Sequence, residues 1–153
     1  MQPRAFIFDD DDLVRRILTT MLRKWGWNVS AFVHPGHFSS HQKDLRRLVL
    51  DEHACTVILT DLKMPFISGM EFLRVLHATN CKCTAIAAIS GLWRREDLDR
   101  VTAWGYDTFA KPVDFSQLHA WLEEARREHR AQQDSQFAAP PPAGTAPSVT
   151  AIQ

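Results

Sequence analysis

Short apolar runs alternate along the chain with longer stretches in which apolar residues recur every three or four positions. The short runs are rich in β-branched and aromatic residues and predict five strands, at 4–8, 27–33, 56–60, 84–89 and 108–110. The longer stretches predict five helices, at 13–25, 38–52, 69–77, 96–104 and 115–130. Five strands that alternate with five helices predict an α/β fold with a doubly wound parallel sheet, covered on both faces.

Capping residues support the helix boundaries. At two predicted helix starts, a residue that can cap the N-terminus is followed three positions later by Glu or Gln. These pairs are Ser68 with Glu71 and Asp114 with Gln117. Gly26 follows the first helix as its expected C-terminal stop. The boundaries therefore leave the ends of the strands in loops, where ligands of open parallel sheets bind.

Composition is that of one globular domain. The chain has 153 residues, 45% hydrophobic content and no net formal charge, so it gives no indication of nucleic-acid or membrane-surface binding. No apolar run reaches the roughly 20 residues that span a bilayer. The N-terminus leads directly into a strand, so we expect no signal peptide, no membrane insertion and a cytoplasmic location.

The domain is predicted to end near residue 130. Residues 131–153 carry one charged residue, Asp134, and four prolines among Ala, Gln, Ser and Thr. This composition cannot bury enough apolar surface to fold. We expect a domain at 1–130 and a disordered Pro/Ala-rich tail at 131–153, with no output module in the tail.

Three cysteines, Cys55, Cys81 and Cys83, are an odd number, which argues against a closed set of disulfides. The Cys81-Lys82-Cys83 spacing is also found in metal sites, but no second pair of ligands is evident in the sequence. We therefore expect structural thiols in a reducing compartment.

Chemically active side chains follow four of the predicted strands. Asp9 and Asp10 follow the first strand, Asp61 the third, Ser90 the fourth and Lys111 the fifth. The carboxyl ends of parallel strands share one edge of a sheet, so these residues are expected to converge. Taken singly, Asp61 is as well explained as a loop carboxylate, Ser90 as a turn serine and Lys111 as a solvated lysine. Their shared placement favours a site.

Carboxylates that converge repel one another, by about 4 kcal/mol for a pair 4 Å apart at an effective dielectric near 20. A hard divalent cation offsets this repulsion, and oxygen ligands select Mg²⁺. Lys111 adds a fixed positive charge and Ser90 a hydroxyl donor. This set of groups is suited to phosphoryl transfer, in which a carboxylate is the nucleophile.

The chain resembles the receiver domains of two-component response regulators. The matching residues are Phe8-Asp9-Asp10, Thr60-Asp61-Leu62-Lys63-Met64-Pro65 with Gly69, Ser90-Gly91 and Lys111-Pro112, within residues 4–130. The resemblance implies a flavodoxin-like fold and a role as a signalling domain rather than an enzyme.

The resemblance also implies a role for each residue of the site. Asp61 would be the phosphoacceptor, and Asp10, Asp61 and the backbone carbonyl of Lys63 would bind Mg²⁺. Asp9 would act mainly through a metal-bound water. Ser90 and Lys111 would each bind a phosphoryl oxygen, and the small Gly91 would leave the phosphoryl group accessible.

The same resemblance implies the partners. A sensor histidine kinase or a phosphotransfer protein would supply the phosphoryl group. A downstream protein, or a second copy of the chain, would read the face formed by the fourth helix, fifth strand and fifth helix, with no direct contact to nucleic acid.

The sequence departs from the family around the fifth strand. The usual switch aromatic lies three residues before the lysine, where this chain has Thr108. Phe109 is adjacent but is expected to face the opposite side of the sheet. The stretch between the second and third strands is long. Asp11 and Asp12 are expected to supply a helix cap and negative charge near the helix N-terminus rather than to bind metal.

Two other functions fit parts of the pattern. Asp10-Asp11-Asp12-Leu13-Val14 matches the signature of haloacid-dehalogenase-like phosphatases, but that family needs an acidic pair after the lysine, where only Asp114 is near. The phosphatase hypothesis also leaves the residues that follow Asp61 unexplained. A degenerate receiver that acts only as a binding module is the second alternative.

Overall fold

The five predicted strands form one parallel sheet in the computed structural model, which describes residues 2–35 and 56–138. The spatial order is β2-β1-β3-β4-β5, and each neighbouring pair is parallel. In chain order the elements are β1 (Arg4–Phe8), α1 (Asp12–Lys24), β2 (Asn28–Phe32), β3 (Val57–Asp61), α2 (Gly69–Ala78), β4 (Ala85–Ser90), α3 (Arg95–Ala103), β5 (Asp107–Ala110) and α4 (Phe115–Phe137).

Helices cover both faces of the sheet. Successive strand residues point to opposite sides, so the strands contribute apolar side chains to a core on each face. On one face, Ile7 and Leu59 pack with Leu18 and Leu22 of α1 and with Leu122 of α4. The opposite face has a separate core, in which α2 and α3 cover the sheet through residues that include Phe8, Ile58, Leu73, Leu76 and Val101. All five residues of β3 are buried, as expected for the central strand.

Side-chain caps fix the starts of three helices. The carboxylate of Asp11 accepts hydrogen bonds from the backbone amides of Leu13 and Val14, and Ser68 accepts one from Glu71. Asp114 caps α4 through the amides of Ser116 and Gln117, as the sequence predicts. Gly26 follows α1 with a φ of 85°, a conformation that glycine adopts without strain.

Two predicted segments differ from the structure or lie outside its described part. The last helix, predicted to end near Arg130, continues to Phe137. Contacts of the last turns explain the extension, because the Thr84 hydroxyl lies 3.3 Å from His129 Nδ1 and 3.4 Å from Gln132 Oε1. The predicted helix at 38–52 and the tail beyond residue 138 lie outside the described residues, so both stay predictions.

Within the described ranges, none of the helices combines the length and the apolar character needed to cross a bilayer.

Candidate functional site

The predicted site residues all lie at one edge of the sheet. Asp9 and Asp10 directly follow β1, and Asp61 is the last residue of β3. Ser90 is the last residue of β4, and Lys111 directly follows β5. The parallel arrangement of the strands thus places at one edge five residues that are up to about a hundred positions apart in sequence.

Three carboxylates at this edge are close enough to bind one metal ion. Asp9, Asp10 and Asp61 each offer an oxygen, and these oxygens lie within 4.8 Å of one another. Asp9 and Asp61 are buried, whereas Asp10 is exposed. The group therefore has buried charge on one side and access to solvent on the other, which suits a hard cation that retains water ligands.

Lys111 supplies the positive charge next to these carboxylates. Its Nζ lies 3.0 Å from Oδ2 of Asp9 and 3.3 Å from Oδ2 of Asp61. Burial opposes the charged form of the lysine, but the hydrogen bond and charge of Asp9, with a contribution from Asp61, raise its pKa overall. Lys111 therefore stays protonated and bridges the two buried carboxylates.

The environment of Asp61 disfavours its charged form. Burial is the largest cause that raises its pKa, and the negative charge of Asp9 adds to it. Lys111 and the backbone amide of Lys63, 3.3 Å from Oδ1, oppose this shift without cancelling it. Asp61 thus lies where additional positive charge would be stabilising, which fits the binding of a cation.

The other two aspartates of the acidic run stabilise the start of α1. Asp11 is the helix N-cap, and its own amide donates to Oδ1 of Asp9 over 2.9 Å. Asp12 forms an ion pair with Nη2 of Arg15. The other terminal nitrogen of Arg15, Nη1, donates to the Asp9 carbonyl over 2.8 Å. The expectation that Asp11 caps the helix agrees with these contacts, and Asp12 lies in the first turn, where a negative charge is favourable next to the helix dipole.

Ser90 is buried at the tip of β4, and its hydroxyl contacts its own loop. The Oγ donates to the carbonyl of Leu92 over 3.2 Å and accepts from the Leu92 amide at 3.3 Å. Gly91 lies beside Lys111, since an added Cβ would be 3.9 Å from the lysine Cβ. A movement of Ser90 toward Asp61 would therefore also move the loop that follows it.

Gly69 is a residue of the site region whose importance is steric. A Cβ at this position would lie 1.9 Å from the carbonyl oxygen of Asp61 and 2.6 Å from the Cα of Leu62. The Gly69 amide also donates to the Leu62 carbonyl over 2.9 Å. The start of α2 therefore packs against the backbone that carries Asp61, and only glycine fits this close approach.

The loop between β4 and α3 contacts β5 through a hydrogen bond that the sequence did not predict. The indole nitrogen of Trp93 donates to the backbone carbonyl of Phe109 over 3.1 Å. Phe109 itself is buried on the face covered by α1 and α4, where its ring meets Trp121 edge-on. Thr108 is half-buried, and as the neighbouring strand residue it points to the opposite face of the sheet, so the expected orientation of Phe109 is confirmed.

Comparisons with known proteins agree with this geometry. The family described as "Response regulator receiver domain" matches residues 5–123. Transcriptional regulatory protein ZraR of Salmonella typhimurium is 30% identical over 119 residues, which are 78% of this chain and 25% of that protein. Transcriptional regulatory protein MalR of Bacillus subtilis is 28% identical over 127 residues, 82% of this chain and 51% of the relative.

Solved structures have the same fold. A response regulator receiver protein from Pseudomonas putida superposes with a TM-score of 0.69 at 22% identity, covering 81% of this chain and 98% of the other.

Because the family match covers most of the chain, this chain belongs to the receiver-domain family of two-component response regulators. Its flavodoxin-like fold and its class, a signalling domain, follow from that membership. The chain spans a quarter to about half of the length of these two curated relatives.

Proposed function

We propose that this domain accepts a phosphoryl group on Asp61, in the presence of Mg²⁺, and signals through contacts with another protein. The observation that supports this most strongly is the position of Asp61, whose carboxylate lies close to two further carboxylates that could hold a metal ion with it and to the Lys111 ammonium. A nucleophilic carboxylate flanked by cationic groups is what phosphoryl transfer requires.

The residues present fit a magnesium ion. Asp10 and Asp61 would supply carboxylate oxygens and the Lys63 carbonyl a third ligand, while Asp9 would bind through a water molecule. The convergence of the three carboxylates and the raised pKa of Asp61 support this assignment. When bound, Mg²⁺ would neutralise charge on the carboxylates and on the phosphoryl oxygens.

The transfer itself uses Asp61 as the attacking group. One of its oxygens attacks the phosphorus of a phosphohistidine donor, the phosphorus–nitrogen bond breaks, and the imidazole leaves with the electron pair and takes up a proton. Lys111, already 3.3 Å from Asp61, would turn from Asp9 to the incoming phosphoryl oxygens. The Ser90 hydroxyl would exchange its contact with Leu92 for another phosphoryl oxygen.

An exposed apolar surface beside the site provides a place for the donor protein. The side chains of Leu13 and Ile17 on α1 are 67% and 41% exposed, and Phe115 at the start of α4 is 36% exposed. Ile17, Phe115, Pro112 and Lys111 line one groove, so this surface is continuous with the phosphorylation site. We propose that a sensor histidine kinase or a phosphotransfer protein contacts it.

The output would leave through the face formed by α3, β5 and α4. Movement of Ser90 toward the phosphoryl group would move residues 91–95, which include Trp93. A downstream protein or a second copy of the chain would then bind this face, with no direct contact to nucleic acid. We place this exchange in the cytoplasm, where sensor kinases have their phosphorylated domains.

Labelling with acetyl phosphate tests this function against the two alternatives. A receiver becomes stably labelled when Mg²⁺ is present, a phosphatase instead turns over phosphate esters, and a degenerate receiver does neither. The phosphatase alternative also lacks its second acidic group, because Asp114 caps α4 through the amides of Ser116 and Gln117. Ester turnover without stable labelling would overturn the proposal.

A further inference from the structure

One arginine beside the three carboxylates is not used by the proposed phosphoryl transfer. Arg15 lies one turn into α1, and its side chain is only 17% exposed. A guanidinium is charged at any ordinary pH, and its burial is costly unless hydrogen bonds and an opposite charge compensate it. The contacts of Arg15 therefore show what holds this charge next to the site.

The planar guanidinium of Arg15 holds two groups of the segment between β1 and α1. Nη1 donates to the backbone carbonyl of Asp9 over 2.8 Å, and Nη2 forms an ion pair with the carboxylate of Asp12. Because both nitrogens belong to one rigid group, the contact with Asp12 also fixes the direction of Nη1. Asp12 is 82% exposed and lies outside the group of carboxylates that could hold a metal ion.

The Asp9 carbonyl connects Arg15 to the metal site. This carbonyl belongs to the peptide unit that joins Asp9 to Asp10, and such a unit is planar and rigid. The amide of Asp9, on the preceding side, donates to the Phe32 carbonyl at the end of β2 over 3.1 Å. The backbone is thus held on both sides of Asp9, and the bond from Arg15 sets the orientation of the plane that leads into Asp10.

Asp10 depends on this backbone more than Asp9 does. The Asp9 side chain accepts a hydrogen bond from the Asp11 amide over 2.9 Å and another from Lys111 over 3.0 Å. Asp10 is exposed, and in the part of the chain that the structure describes no side-chain hydrogen bond or ion pair holds its carboxylate. The direction of the Asp10 carboxylate is therefore determined by the peptide unit that Arg15 fixes.

We propose that Arg15 is a positioning residue for Mg²⁺ binding, which orients the Asp9–Asp10 peptide unit so that the Asp10 carboxylate faces the metal. This inference rests on the magnesium site of the proposed function. Groups that hydrogen-bond around the ligands of a metal fix the ligand geometry, and their loss typically weakens metal binding by about 10- to 100-fold. Asp12, which holds the second nitrogen of Arg15, would act on the site in the same way.

Charge alone predicts the opposite effect. A guanidinium near three carboxylates repels an incoming cation, so removal of its charge should strengthen Mg²⁺ binding. Loss of the positioning contact should instead weaken Mg²⁺ binding. An ion pair that merely stabilises the start of α1 would leave the affinity almost unchanged. The sign of the change in affinity therefore separates these three roles of Arg15.

The test measures the Mg²⁺ dissociation constant of the full chain by titration calorimetry, without a phosphodonor. Arg15→Met, which keeps an unbranched side chain, should raise the dissociation constant on the order of tenfold. Arg15→Lys keeps the charge but offers one nitrogen in place of a planar fork, so it should also weaken binding. The matched control is Arg16→Met, the loss of an exposed arginine at the next position, which should leave binding unchanged or slightly tighter.

Two further measurements separate this inference from folding defects and from the proposed phosphoryl transfer. A cooperative thermal transition in metal-free buffer shows that a variant is folded, and if Arg15→Met does not fold, Arg15→Lys decides the question. Labelling of Arg15→Met by acetyl phosphate should be slow at low Mg²⁺ and should approach the parental rate at saturating Mg²⁺. A parent that binds Mg²⁺ but is not labelled would refute phosphoryl transfer, and the dissociation constants would still decide the role of Arg15.

Two results would overturn the positioning role. One is a dissociation constant of Arg15→Met at or below the parental value, because Arg15 would then act through its charge or only on the stability of α1. The other is parental affinity in Arg15→Lys, because a positive charge without the planar fork would then be sufficient.

Discussion

The ammonium of Lys111 lies 3.3 Å from the carboxylate of Asp61 and, on its other side, 3.0 Å from that of Asp9. Lys111 is therefore the positive charge that allows the two buried carboxylates to share one edge of the sheet. A group that already bridges the carboxylates can transfer one of its hydrogen bonds to a phosphoryl oxygen without a large movement. Structural stability and the proposed chemistry thus depend on the same side chain.

Removal of the positive charge of Lys111 is predicted to destabilise the domain. Lys111→Ala leaves Asp9 and Asp61 buried and uncompensated, so the free energy of unfolding should fall by about 1–3 kcal/mol in the absence of Mg²⁺. Lys111→Arg, which keeps the charge, is the matched control. Urea unfolding with and without Mg²⁺ measures both variants, and the metal should recover part of the loss. A Lys111→Ala variant as stable as the parent would show that the carboxylates are not strained by repulsion.

The raised pKa of Asp61 predicts a pH dependence of stability. Because the folded-state pKa is above the unfolded one, Asp61 favours folding below its unfolded pKa, and this contribution is lost as pH rises through the folded pKa. Without metal, Asp61→Asn should therefore be more stable than the parent at neutral pH. The difference should shrink as pH falls through the folded pKa. Thermal unfolding from pH 7 to about pH 4 tests this, and a difference that grows on acidification would contradict it.

Gly69 is predicted to be intolerant of any side chain. Gly69→Ala places a methyl group against the backbone of Asp61 and Leu62, so overpacking should lower the free energy of unfolding by about 1–3 kcal/mol. The shift should also displace Asp61 and slow its labelling by acetyl phosphate. Gly91→Ala is the control, since its methyl group would make only an ordinary contact with Lys111. Equal stability of the two variants would show that the close approach at Gly69 is not restrictive.

Trp93 is predicted to report the response of the loop. Beryllofluoride, a phosphoryl mimic, should draw Ser90 toward Asp61 in the presence of Mg²⁺, which alters the Trp93 hydrogen bond to Phe109 and the intrinsic fluorescence. Trp93→Phe should remove most of this change, whereas Trp121→Phe, on the opposite face of the sheet, should retain it. No fluorescence change at a saturating concentration of the mimic would mean that binding is not coupled to the loop.

The sequence predicted the fold and the site because their signals are local. Each of Asp61, Ser90 and Lys111 ends or directly follows a short apolar run, and parallel strands necessarily bring such ends to one edge. The orientation of Phe109 also followed from the two-residue period of a strand.

Features that depend on packing between elements were not predicted. The hydrogen bond from Trp93 to Phe109 and the bridge from Lys111 to Asp9 join residues whose relative positions only the folded sheet determines. The final helix extends past Arg130 because Thr84, far away in sequence, contacts its last turns. Composition alone favoured an earlier end, since the segment after Arg130 is poor in apolar residues.

The most direct test of the proposed function locates the phosphoryl group. The full chain is treated with acetyl phosphate and Mg²⁺, and the acyl phosphate is trapped by reduction with borohydride and mapped by mass spectrometry. If the proposed function is right, Asp61 is the one modified residue, and neither a folded Asp61→Asn variant nor the parent without Mg²⁺ is labelled. Undiminished labelling of Asp61→Asn, with the modification mapped to Asp10, would contradict Asp61 as the phosphoacceptor and favour the phosphatase alternative.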